Sequence, residues 1–145
     1  MKHLKNIFAI AASILVMGVA ISAEAAPSHW KGDYRYPFVD QTENAYIFLN
    51  GTSIKVLRVP EEGHQPFDIM VSLVAVSNTD QDMVFERPQI KIRFFPYNEH
   101  AKDKFMYDED GFGFKTVYFT DMDEHDLMVF RALGVALQYL KDHES

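Results

Sequence analysis

The chain has 145 residues, a formal net charge of −7 at neutral pH and no cysteine. The absence of cysteine excludes disulfide bonds, thiol catalysis and thiolate metal sites. The excess of acidic residues disfavours a nucleic acid or an anionic membrane surface as a partner, because both require a basic protein surface.

The first 25 residues have the pattern of a secretory signal peptide. The start is basic, residues 7–21 are mostly apolar, and the small residues Ala23 and Ala25 precede a cleavage site. Cleavage after Ala25 removes two lysines and one glutamate, so 14 basic residues become 12, 21 acidic residues become 20, and the net charge becomes about −8. We therefore predict an exported protein, periplasmic or extracellular, in which residues 26–145 form a single domain. An uncleaved membrane anchor is the alternative.

The residues around Asn50 and Gly51 predict a tight β-hairpin. Both residues tolerate positive φ, as a type I′ turn requires, and strand-like runs precede and follow them. A two-residue loop places Ile47 opposite Ile54, so that aliphatic side chains share one face.

Residues 67–77 predict a long central strand, because side chains alternate between the two faces of a β-strand. One face is apolar along its whole length. The second face begins with polar Asp68 and Ser72 and ends with Val74 and Val76. We expect this strand to be buried on one side throughout and on both sides near its end.

Two further strand regions follow. Residues 83–95 contain Pro88, which has no N–H for a sheet ladder and predicts a bend or a bulge. Residues 105–107 and 112–120 predict a hairpin around the acidic turn at residues 108–111. In the second arm of that hairpin we expect an aromatic row to face the core, comprising Phe112, Phe114 and Tyr118.

Residues 121–143 predict the one helix of the mature domain. Thr120, Asp121 and Asp123 are all suitable N-caps. Asp121 and Glu124 fit a capping box, and the acidic first turns complement the helix dipole. The apolar surface is broader than that of an ordinary surface helix. Its centre comprises Val129, Ala132, Leu133, Ala136 and Leu140.

Two flanks extend this apolar helix surface beyond the contact with one sheet face. Phe130 and Leu137 form one flank, and Met128, Val135 and Tyr139 form the other. Contiguous exposed apolar surface usually marks an interaction site. We therefore predict that one flank joins a homodimer or a partner protein.

Two segments offer metal ligands. Residues 108–111 carry oxygen ligands suited to calcium, but alignment with an EF-hand loop places Met106 at the first ligand position. Residues 122–126 carry Met and His, which suit copper, although no Met-x-Met or His-x-His pair occurs. We expect no cofactor, with a copper site as the alternative.

Signals for catalysis are absent from the sequence. There is no Gly-x-Ser-x-Gly motif and no glycine-rich phosphate loop. An aromatic group near the first strands is interpreted either as a ligand site or, preferably, as a second packing layer of the sheet. It comprises Tyr34, Tyr36, Tyr46 and Phe48.

Together the elements predict an α+β fold: a mostly antiparallel curved sheet or β-sandwich of six to seven strands, with one C-terminal helix packed on it. The strand ending near Asn78, its polar turn and the strand broken by Pro88 resemble immunoglobulin-like domains of exported bacterial proteins. A strand meander ending in one helix also resembles the pleckstrin-homology architecture. These resemblances imply a fold and no functional residue.

We expect a non-enzymatic, exported binding or assembly module that acts through the apolar helix flank or a sheet edge. A carrier of a metal or of a small apolar ligand held between sheet and helix is the alternative. An enzyme whose site is assembled from residues distant in sequence is a further alternative.

Overall fold

The computed structural model describes residues 26–60, 66–96 and 98–143, and the predicted signal peptide lies outside the described residues. Within these ranges the chain forms eight strands and one α-helix, which confirms the predicted α+β class. The elements are β1 (Phe38–Gln41), β2 (Ala45–Leu49), β3 (Lys55–Arg58), β4 (Phe67–Ser77), β5 (Val84–Glu86), β6 (Gln89–Phe94), β7 (Lys104–Asp108), β8 (Lys115–Tyr118) and α1 (Glu124–Asp142).

The eight strands occupy six positions in one antiparallel meander. β4 is central, as predicted: β2 and β3 pair in succession along one edge of it, and β5 and β6 pair along the other. β1 extends the sheet beyond β2, and β7 and β8 extend it beyond β6. The break between β5 and β6 falls at Arg87 and Pro88, where proline cannot donate to the ladder.

The predicted hairpin at Asn50 and Gly51 is wrong. β2 and β3 do not pair with each other, because the chain continues in one direction along β4 through a 3₁₀ turn at Gly51–Ser53. Gly51 does not have a positive φ. Instead, a Cβ atom at this position would overlap the ring of Tyr139. Glycine is therefore required by the close approach of α1, and the chain reverses later, between β3 and β4.

The inner face of the curled sheet packs against α1 and forms the main core. Alternate residues of β4 from Phe67 to Ala75 are all buried there, as the alternation predicted. Full burial of one large apolar side chain contributes about 1.5–3 kcal/mol, so this layer dominates the stability. The helix side of the layer includes Val129, Ala132, Leu133 and Ala136.

The outer face of the sheet divides into two halves along β4. In the covered half, Val74 and Val76 pack with Phe48 beneath the N-terminal segment, residues 26–37, whose Trp30 lies on the cluster. In the open half, at the other end of β4, the same face is polar and includes Asp68. The predicted change from one buried side to two along this strand is confirmed.

Helix α1 begins later than predicted, and its capping box differs. The N-cap is Asp123, one of the three candidates, and its capping-box partner is Asp126, whereas the sequence suggested a box of Asp121 and Glu124. The Asp126 N–H donates to Asp123 Oδ1 at 2.7 Å, and the Asp123 N–H donates to Asp126 Oδ2 at 3.3 Å. Asp126 prevails because it also receives hydrogen bonds from β7 and β8, which a local pattern does not contain.

The hairpin of β7 and β8 turns at residues 108–111, as predicted. Asp108 Oδ1 accepts a hydrogen bond from the Gly111 N–H at 2.8 Å, and Gly111 has a φ of 82°. The predicted orientation of its aromatic row is wrong. Val117 is buried, whereas Phe112 is 92 % exposed and Tyr118 is 47 % exposed, because Val117 pairs with an inward-facing residue of β7.

Candidate functional site

The two predicted flanks of α1 have different surroundings. Phe130 and Leu137 are buried. The Phe130 ring centroid lies 5.8 Å from that of Phe105 and 5.2 Å from that of Phe119, so aromatic residues on and beside β7 and β8 seal this side. The flank of Phe130 and Leu137 is therefore part of the core.

The opposite flank borders open space. Met128 is buried, but Val135 and Tyr139 are only partly buried and line a cleft of about 400 Å³ between α1 and the N-terminal segment. We call this space the helix cleft. Its lining also includes Ser28, His29, Tyr34, Phe38, Asp142 and His143.

One wall of the helix cleft is built around Tyr139. Its ring lies over Gly51, and it stacks on the His143 imidazole with ring centroids 4.0 Å apart. The His143 Nδ1 lies 2.8 Å from the Tyr139 carbonyl oxygen. A carbonyl only accepts, so Nδ1 carries the hydrogen and Nε2 is left as a hydrogen-bonding group for a ligand.

The opposite wall comes from the N-terminal segment. The His29 imidazole meets the Tyr34 ring edge-on at a centroid distance of 5.3 Å, and Ser28 Oγ lies 2.9 Å from His29 Nδ1. Tyr34 is 78 % exposed, so most of its side chain is accessible to a ligand. Aromatic walls with a few polar groups are typical of small-ligand sites.

A second cleft, of about 830 Å³, lies between the start of α1 and the first two strands and is lined in part by Met128. Arg131 Nη1 donates to Asp40 Oδ1 at 2.8 Å across this cleft, and both side chains are largely buried. The remaining lining is mixed: it includes acidic residues such as Glu43 and Glu86 and apolar ones such as Ile47. The Arg131–Asp40 pair joins α1 to β1.

Sequence reasoning missed a buried hydrogen-bond network at the start of α1. The Tyr107 hydroxyl donates to Asp126 Oδ1 at 2.7 Å, and Lys115 Nζ donates to the same oxygen at 2.9 Å. Burial favours a higher pKa for Asp126, but hydrogen bonds from Lys115, Tyr107 and the Asp123 N–H outweigh it and lower that pKa. Burial and then the hydrogen bond to Asp126 raise the pKa of Tyr107 to about 12. The network fixes the helix on β7 and β8.

The remaining candidate residues for ligand or metal binding make packing or pairing contacts within the fold. Tyr36, Tyr46 and Phe48 pack in the covered half, which agrees with the second-layer interpretation. His125, in the segment considered for copper, contacts Glu109. Across the described ranges, no group of three or more His, Cys, Asp or Glu side chains is arranged to hold a metal ion.

Comparison with family models, with curated proteins and with solved structures finds no match. No helix within the described part of the chain is both long and apolar enough to cross a membrane. The helix cleft is therefore the candidate site on its geometry alone.

Proposed function

We propose that the protein is a non-enzymatic binding module that holds a small organic ligand in the helix cleft. The observation that carries this proposal is the asymmetry of α1: one flank is sealed by the sheet, and Val135 and Tyr139 on the other line an open cleft. Its volume of about 400 Å³ lies within the range of small-molecule sites.

The lining favours a ligand with a planar apolar body and one polar end. The rings of Tyr34, Phe38 and Tyr139 suit the apolar body. His143 and Asp142 offer hydrogen-bonding groups that orient the polar end. Ser28 Oγ bonds His29 Nδ1 in the lining, but among the described residues no acidic side chain makes a hydrogen bond that would orient the His29 ring, and this favours binding over catalysis.

Assembly through the same flank is less favoured by the geometry. A stable protein interface buries about 800 Å² on each partner, whereas most of the apolar helix surface is already buried in the core. The edge strand β3 is also guarded against strand addition: Lys55 and Arg58 flank a bulge at Leu57. A homodimer therefore stays a prediction.

Binding of the fluorescent dye 1-anilinonaphthalene-8-sulfonate tests the cleft, because this dye has planar rings and one polar group. We expect saturable binding to the purified protein and its loss in Val135→Arg, whose long side chain fills the cleft. Val56→Arg makes the same change at an exposed valine outside the cleft and should retain binding. Thermal unfolding of both variants confirms that they fold.

Equal dye binding by the two variants would contradict the proposal. Sedimentation velocity on the same samples separates the alternative: a wild-type dimer that Val135→Arg dissociates supports assembly through the flank. Native mass spectrometry of protein purified from its own host should show a bound small molecule that Val135→Arg loses.

The proposed location is outside the cytoplasm, as the basic, apolar and small-residue order of the first 25 residues suggests. N-terminal sequencing of the exported fraction should give a start at Ala26. Intact Met1 in the membrane fraction would indicate an anchor.

A further inference from the structure

The open half of the outer face carries rows of cationic side chains set by the strand pairing. Lys55 of β3 pairs with Met70 of β4, which pairs with Lys91 of β6. Side chains directly opposite on neighbouring strands share a face of the sheet. The two lysines therefore lie on the same face, two strand spacings apart, which is about 9–10 Å.

The neighbouring row contains the one ion pair of this face among the described residues. Arg93 donates to both oxygens of Asp68, at 2.8 and 2.9 Å, and its guanidinium lies 4.3 Å from the Phe114 ring centroid. Arg58 ends the row on the far side of Asp68. The acidic group in the middle of the open half is thus already neutralised by Arg93.

The other cations of the open half have no acidic partner in the described ranges. Lys55, Arg58, Lys91 and Lys104 form no ion pair there. Lys104 lies opposite Tyr118 at the β8 edge, with its Nζ 5.8 Å from the ring centroid. An exposed ring therefore stands beside the unpaired charges.

Among the described residues, one further carboxylate lies on this face, and it is engaged locally. Asp108 pairs with Lys91 across the β6–β7 ladder, but its Oδ1 accepts from the backbone N–H groups of Asp110 and Gly111. The face keeps an excess of positive charge although the whole chain is acidic. At physiological salt, charges act over a Debye length of about 8 Å, so a ligand in contact with this face experiences its local charge.

We propose that the open half binds a linear acidic polysaccharide. The lysines stand about 9–10 Å apart, and the charges of such a polymer are separated by whole sugar rings. Duplex DNA carries a charge every 1.7 Å or so, which four scattered cations match poorly. Single-stranded nucleic acid needs several free rings on which bases stack, whereas on this face the Phe114 ring already lies against Arg93 and Tyr118 lies beside Lys104.

Titration with polygalacturonate, a polymer with one carboxylate on each sugar, tests this surface. We expect binding that weakens as salt is added. A Lys55→Glu, Lys91→Glu double variant should bind about tenfold more weakly or worse, because each cation near an anionic surface changes the affinity by a factor on the order of ten or less. Lys141→Glu reverses a charge on α1, which lies on the other side of the sheet, and should bind like the wild type. Neutral dextran should not bind.

Two results would overturn the proposal. One is equal affinity of the wild type and the double variant for polygalacturonate. The other is tighter binding of the wild type to oligothymidylate or to phosphatidylglycerol vesicles than to polygalacturonate, which would assign the face to nucleic acid or to a membrane. Each variant should still bind the dye in the helix cleft. Retained dye binding would show that the variant is folded and that the cleft does not depend on this surface.

Discussion

The covered and open halves of the outer face lie on the same strand and yet are built from different chemistry. In the covered half, Val74 and Val76 are fully buried beneath the N-terminal segment. In the open half, the same side of β4 presents Asp68 and Met70 to charged neighbours and Ser72 to Gln89. One half therefore stabilises the fold by apolar burial, and the other carries polar and charged groups.

β2 and β3 follow each other along one side of β4, and the boundary between the two halves lies at the break between them. Gly51 stands in that interruption, between β2 and β3, directly against Tyr139 of the helix cleft. The N-terminal segment is anchored on the covered side, where the Trp30 indole N–H donates to the Gln81 carbonyl at 3.0 Å. The N-terminal segment, the turn at Gly51–Ser53 and the helix cleft are thus parts of one connected region.

The largest expected effect removes a large side chain from the covered half. Phe48→Ala should lower the free energy of unfolding by about 3–5 kcal/mol, because it leaves a cavity in a fully buried cluster. Met70→Ala, on the open half, should cost less than about 1 kcal/mol. Urea denaturation measures both, and similar losses would contradict the division into halves.

A smaller effect is expected at Gly51, where the covered and open halves meet. Gly51→Ala should destabilise the protein by about 1–3 kcal/mol, because the new methyl group overlaps the Tyr139 ring. Tyr139→Ala in the same chain should relieve part of that loss. A double-mutant cycle by urea denaturation measures the coupling, and strict additivity would show that the ring is not the cause.

Asp68→Asn should cost about 1–2 kcal/mol, because Arg93 loses a charged partner that accepts two hydrogen bonds. The same change removes a negative charge from the open half, so affinity for polygalacturonate should rise. A variant that is less stable and also binds the polymer less well would argue against the assigned charge balance.

The smallest expected effect is a pH dependence of stability that arises from Asp126, which is hydrogen-bonded to β7 and β8. The pKa of Asp126 is lowered in the folded chain, so its contribution is present above the unfolded pKa of about 3.9 and is lost as pH falls through the folded value. Stability measured between about pH 5 and pH 2 should fall less steeply in Asp126→Asn than in the wild type. Parallel curves would show that Asp126 does not titrate with unfolding.

Periodicity predicted the parts of the fold that depend on a long run of residues. β4, the strand broken at Pro88 and the helix all appear within the predicted ranges, although the helix begins at Glu124 rather than Asp121. Even the covered half was visible in the sequence, because Val74 and Val76 continue the polar face as an apolar one. Burial of a whole face leaves a repeated signal that single contacts do not.

The failures lie where one tertiary contact decides the local structure. Asn50 and Gly51 suit a turn by their own preferences, but Tyr139 requires glycine there for a steric reason. Asp126, and not Glu124, is the capping-box partner because Tyr107 and Lys115 reach it from β7 and β8. The helix cleft itself needs two segments from opposite ends of the domain, so no local pattern encodes it.

Amide chemical-shift mapping by NMR, with the dye and polygalacturonate added in turn to one labelled sample, tests the separation of surfaces most directly. The dye should shift the amides of Val135, Tyr139 and His143, and the polymer should shift those of Lys55 and Lys91. The amides of Val74 and Val76 in the covered half should move with neither ligand. A single set of shifts common to both ligands, or shifts centred on the covered half, would contradict the assignment of a ligand cleft and a separate polyanion surface.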